Sequence, residues 1–98
     1  MINVADYISM LLEKKGWTRV KLCDEINKIE KELGEKRTDR QNITNYLNGQ
    51  LPLKPKTLAK WEKALGLREG TLINMVVPPS SREGKEELKE TINKLRRI

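Results

Sequence analysis

Ninety-eight residues with a formal net charge of +6, of which 37% are hydrophobic and 35% charged, fit one small domain with one modest core. A single cysteine, Cys23, excludes an internal disulfide, and the lack of histidine excludes histidine-bearing zinc sites and histidine-centred acid–base or nucleophile pairs. No apolar stretch approaches the roughly 20 residues of a membrane span, and Met1-Ile2-Asn3-Val4 opens no basic n-region followed by an apolar h-region, so a reduced, cytoplasmic setting is expected.

The chain reads as a series of helices. Val4, Ile8, Leu11 and Leu12 recur at i, i+4, i+7 and i+8, which predicts an amphipathic helix over Val4–Lys15. Asn3 suits its N-cap, Lys14 and Lys15 suit the negative end of its dipole, and Gly16 ends it. Thr18 is the expected N-cap of a second helix, with Trp17 and Leu22 spaced for a hydrophobic staple across its start. Leu22, Ile26, Ile29 and Leu33 carry one apolar face to about residue 33, where Gly34 offers a left-handed cap. Thr38-Asp39-Arg40-Gln41 forms a Thr-x-x-Gln capping box and predicts a third helix over 39–48, with Ile43, Tyr46 and Leu47 inward and Asn48-Gly49 as its stop. Beyond the proline-stiffened Leu51-Pro52-Leu53-Lys54-Pro55, a fourth helix is expected from about Lys56 to Leu65, with Leu58, Trp61 and Leu65 on one face. A short fifth helix is expected over 71–76, then a Pro/Ser linker at 78–81, and a last amphipathic helix within 82–98 carrying Leu88, Ile92 and Leu95 as its apolar stripe.

The position of the surplus charge narrows the partner. Residues 35–60 hold Lys36, Arg37, Arg40, Lys54, Lys56 and Lys60 against Glu35 and Asp39, a net of +4, the tail from 82 to 98 adds +2, and the other segments balance. Arginine donates two hydrogen bonds to guanine O6 and N7, and Gln or Asn pairs in the same bidentate way with adenine N6 and N7. Arg40, Gln41 and Asn45 have the spacing of residues one, two and six of a helix, which project toward a major groove entered end-on. Solvation of any polar helix face selects the same residue types, so spacing alone leaves both readings open. The free N–H groups at the Thr18-Arg19 end of the second helix make a sensible dock for a phosphate.

The pattern resembles the phage-repressor-like, or XRE-type, helix-turn-helix DNA-binding family. The resemblance spans roughly residues 5–76. It is carried by Trp17-Thr18 to Leu22-Cys23 and Ile26, by Asp39-Arg40-Gln41-Asn42-Ile43 to Leu47-Asn48-Gly49, by Thr57-Leu58 to Lys63-Ala64-Leu65-Gly66-Leu67, and by the trailing Leu72-Ile73. It implies an all-α, five-helix domain over 1–77, with the 82–98 helix appended. It also implies base reading by Arg40, Gln41 and Asn45 and contacts to the DNA backbone from Arg19, Asn48, Lys54 and Lys56. Typical members lack the stretch Lys28 to Arg37, which here separates Cys23 from Ile43 by 20 positions. Either the second helix is extended or the turn is longer, and an extension would hold Lys36 and Arg37 against the duplex. Such proteins bind palindromic operators as homodimers, with half-sites about one helical turn apart. The Leu88, Ile92 and Leu95 stripe either supplements a dimer contact or folds back on its own core.

Other residues fit a structural role. Cys23 falls at a packing position, Trp17 and Trp61 lie on apolar faces, and Tyr46 belongs to the edge of the core, although its hydroxyl has reach to a phosphate. Glu30, Glu32, Glu86 and Glu87 read as solvated faces, and no carboxylate dyad, glycine-rich phosphate loop or nucleophile elbow appears, so no catalysis, cofactor or metal is expected. The expected function is sequence-specific binding of double-stranded DNA, as a transcriptional regulator and in the first instance a repressor. The alternative is an antitoxin or phage-type inhibitor that uses the same scaffold to hold a protein partner. A protein-binding face would carry exposed Tyr, Trp, Met or Leu, whereas the third helix offers amides and Arg40. Only four aromatics argue against single-stranded RNA.

Overall fold

Asn3 starts helix α1 (Val4–Lys15) by accepting the Asp6 N–H on its Oδ1 at 2.9 Å. In the computed structural model, which describes residues 3–76 and 86–98, every described element is helical. Helix α1 ends at Gly16 and α2 (Arg19–Leu33) at Gly34, both with φ of 70°, a left-handed conformation that a side chain would strain. Thr18 caps α2 through its Oγ1, which accepts from the Lys21 N–H at 3.1 Å. Ile8 and Leu12 of α1, with Leu22, Cys23, Ile26 and Ile29 of α2, form one side of the core.

The Lys28–Arg37 stretch divides in two. Lys28 to Leu33 lengthens α2, and the remainder lies in a connector running from Gly34 to Asp39. Helix α3 (Arg40–Leu47) then begins one residue later than the capping box predicts. Its N-cap is Asp39, which makes no side-chain cap bond, and Thr38 and Gln41 bond elsewhere instead of to each other. Ile43 is fully buried, while Tyr46 meets Trp61 edge-on with ring centroids 5.5 Å apart.

Helix α4 (Pro55–Ala64) starts on Pro55, whose missing N–H costs nothing in a first turn, and it forms the hub of the fold. It packs against α2, against the short α5 (Ile73–Val76) and against α6 (Glu86–Arg96), while α3 lies across α1 and α2. Trp61 is the largest fully buried side chain, joined by Leu58, Leu65, Leu72 and Ile73. Glu62 is equally buried, and its carboxylate accepts the N–H groups of Gly70, Leu72 and Ile73 at 2.9, 2.6 and 2.9 Å. A side chain of α4 thereby satisfies the turn and first residue of α5, donors that burial would otherwise leave unpaired.

Of the two arrangements open to the tail, the chain adopts the inward one. Leu88 and Leu95 are 6% exposed and belong to the same core as α4, Ile92 is half-buried against it, and Arg96 forms a two-pronged ion pair with Glu69 at 2.8 and 2.6 Å. Leu88, Ile92 and Leu95, whose stripe is open by sequence to a dimer contact or to folding back, complete the fold of their own chain. The linker expected at 78–81, the start of the last helix and the side chains of Glu86 and Glu87 lie outside the described residues. Leu95→Ala should lower stability in urea by about 2 kcal/mol through the cavity it leaves, with no change of mass in light scattering. A fall in mass at unchanged stability would return the stripe to a subunit interface. Among the described residues no helix is long and apolar enough to cross a membrane.

Candidate nucleic-acid interface

Helix α3 is fixed by Ile43, Tyr46 and Leu47 on one side, which leaves Arg40, Gln41 and Asn42 exposed and Asn45 half-exposed. Gln41 donates its Nε2 to Asn45 Oδ1 at 3.2 Å, one turn along the helix. That bond holds both amides on one side of α3. It also leaves the Gln41 Oε1 and its second Nε2 proton for the two-point contact that adenine offers. Arg40 stands one residue before Gln41 at the helix N-terminus, where the free N–H groups add positive potential.

The flanking bases sort into two groups. Arg19, Lys36, Arg37, Arg40 and Lys54 are exposed and have no carboxylate partner among the described residues. Lys56 is partly covered, with Glu35 Oε2 at 3.9 Å from its ammonium, so its expected phosphate role competes with an acid of the same chain. Asn48 is exposed just past the end of α3, and Thr18 is exposed with its hydroxyl engaged as the α2 cap. Lys15 and Lys21 approach the Trp17 ring at 5.3 and 5.5 Å from its centroid, which leaves the half-buried indole a packing residue.

Lys60 is largely withdrawn from the outer surface. Its ammonium lies 3.0 Å from Glu30 Oε2 and 3.1 Å from Glu35 Oε1, and its side chain is only 13% exposed. Burial pulls its pKa down, but the hydrogen bonds it donates to Glu30 and Glu35 outweigh burial and hold it above the usual lysine value. Glu30, read from sequence as a solvated acid, is corrected: it is 2% exposed and accepts the Thr38 N–H at 2.8 Å and the Thr38 hydroxyl at 2.7 Å. Asn27 Oδ1 accepts the same N–H at 2.9 Å. Cys23 is buried, its thiol pointing at the Thr38 carbonyl at 3.4 Å. Its pKa is pushed up by burial, against the hydrogen bond from Asn27 and the nearby charges of Arg37 and Arg40. Cys23, Asn27 and Glu30 follow one another at spacings of four and three along α2. That polar stripe beside the apolar face was the available signal.

Comparison with protein-family models, with curated proteins and with solved structures found no match. The residues themselves therefore carry the functional argument.

Proposed function

We propose that the chain is a sequence-specific double-stranded DNA-binding regulator that inserts α3 into the major groove. The observation that carries the reading is the outward side of α3, with Arg40, Gln41 and Asn45 accompanied in sequence by no acid but Asp39, beside the exposed Arg19, Lys36, Arg37 and Lys54, which have no carboxylate partner among the described residues. Base-edge donors and acceptors on a short helix, rimmed by phosphate-seeking cations, match the division of labour between specifying and positioning contacts. Repression would follow from occupancy of a promoter. A palindromic operator read by two copies fits this mode of docking, and with Leu88 and Leu95 internal, the contact between copies falls on another surface.

Selection of binding sites from a random pool of duplexes tests the reading. A recovered palindrome supports it, and a chain that enriches no sequence while capturing a protein partner would replace it with the scaffold-type inhibitor. On the selected duplex, Arg40→Ala should weaken binding by about 2 kcal/mol and relax the preference at one base pair. Lys54→Ala should weaken binding to all sequences alike and reduce the salt slope by about one unit. Equal loss on every sequence for R40A, or an unchanged slope for K54A, removes the assigned role.

A further inference from the structure

The eight-residue α3 has no side-chain bond from its N-cap, and its first turn closes on the Asp39 carbonyl, which accepts from the N–H groups of Asn42 and Ile43 at 3.0 and 3.2 Å. A helix so short is held by what surrounds it. The surroundings converge on Thr38, two residues before Arg40. Its N–H is shared between Asn27 and Glu30, its hydroxyl donates to Glu30 Oε2 and its carbonyl receives the Cys23 thiol, so every polar group of Thr38 is tied to a single stripe of α2. Lys60 of α4 then braces the same Glu30 carboxylate, and its second bond runs to Glu35 of the connector. Glu30 and Glu35 both belong to the Lys28–Arg37 stretch that sets this chain apart from the pattern it resembles.

We propose that Thr38 and Glu30 are positioning residues that set where α3 presents Arg40 and Gln41, an inference that rests on the DNA-binding reading above. A buried carboxylate and ammonium are poor sources of stability, since apolar residues of similar volume often serve as well. Directional bonds from Cys23, Asn27 and Glu30 of α2 onto Thr38, with Glu30 itself braced by Lys60 of α4, define a position, which apolar contact does not. Two-point pairing with a base edge tolerates little displacement, because hydrogen bonds weaken steeply as distance and angle depart from their optimum. Contacts from Arg19 on α2 and Lys54 before α4 reach phosphates from elements that Thr38 does not hold. Loosening Thr38 thus affects base reading and spares the phosphate contacts of Arg19 and Lys54, whereas loss of folded protein lowers both together.

The test titrates the selected operator and a scrambled duplex of equal length with the full chain, at a temperature where circular dichroism shows each variant folded. Thr38→Val keeps nearly the same shape without the hydroxyl donor, and Thr38→Ser keeps the donor. T38V is expected to bind the operator about tenfold more weakly and the scrambled duplex as the wild type does, with the same salt slope. T38S is expected to restore the wild-type ratio, and Glu30→Gln, which retains one acceptor for Thr38, to fall between the two. An operator preference unchanged in T38V, an equal loss on both duplexes, or a T38S that behaves like T38V overturns the positioning role. A wild-type chain that prefers no duplex overturns the DNA-binding reading itself, an outcome distinct from a wild type and a T38V that discriminate equally well.

Discussion

Glu62→Ala should reduce the unfolding free energy by about 4 kcal/mol and the thermal midpoint by about 20 °C. Three buried N–H groups, those of Gly70, Leu72 and Ile73, depend on this one carboxylate, and alanine leaves all three without an acceptor. An unsatisfied buried donor costs about 1–3 kcal/mol, so even partial hydration of the space leaves a loss comparable to much of the roughly 5–15 kcal/mol that holds a domain together. Glu62→Gln separates the contributions of the two oxygens. With its amide oxygen turned toward α5 it keeps the bonds to Leu72 and Ile73 and sets its NH2 against Gly70, for about half the loss. Hydrogen exchange at Leu72 and Ile73 should accelerate more than at Leu58 or Trp61 of α4, because the anchored segment opens first. A midpoint for E62A within a few degrees of wild type would mean that water or a rearranged turn satisfies these donors.

Glu62 also marks where sequence reasoning fails and why. The ends of α1 and α2 are legible because each cap lies within three residues of the groups it satisfies, as with Asn3 and Asp6 or Thr18 and Lys21. Periodicity likewise finds Ile8, Leu22, Ile26 and Leu58, since the apolar face of a helix is the face that packs. Glu30 and Glu62 carry no such local mark. Their partners lie at Lys60 and at Gly70 to Ile73, and a carboxylate on a charged helix reads as solvated until the distant donor is known. The capping box at Thr38 was a true motif with a stronger competitor: Glu30 and Asn27 bind both the N–H and the hydroxyl side of that residue before Gln41 can. The Leu88, Ile92 and Leu95 stripe fits a partner helix or the groove beside α4 equally well, and only the packing of α4 selects between them. In the candidate interface, exposure of Gln41 follows from the burial of Ile43 two positions on, which faces the other side of α3, so that part was readable. The internal use of Lys60 was not, and it removes one cation from the expected footprint.

Glu30→Ala should cost about 3 kcal/mol, because it strips a buried ammonium of one of its two carboxylates and the Thr38 hydroxyl of its acceptor. Lys60→Met should cost a similar amount by leaving Glu30, 2% exposed, with Thr38 alone. The two losses should not add. In the double variant Glu30→Leu with Lys60→Met neither charge remains buried, and the urea midpoint should recover more than half of the larger single loss. Additive losses would show instead that each side chain contributes packing on its own, with no coupling through the ion pair. The recovered double variant is also the informative protein for function. It regains much of the stability with apolar contact while withholding the Glu30 bonds to Thr38, so a folded chain should still discriminate poorly between operator and scrambled duplex. Stability and placement of α3 then separate in one molecule, which no single deletion at this junction achieves, because removing one charge disturbs both.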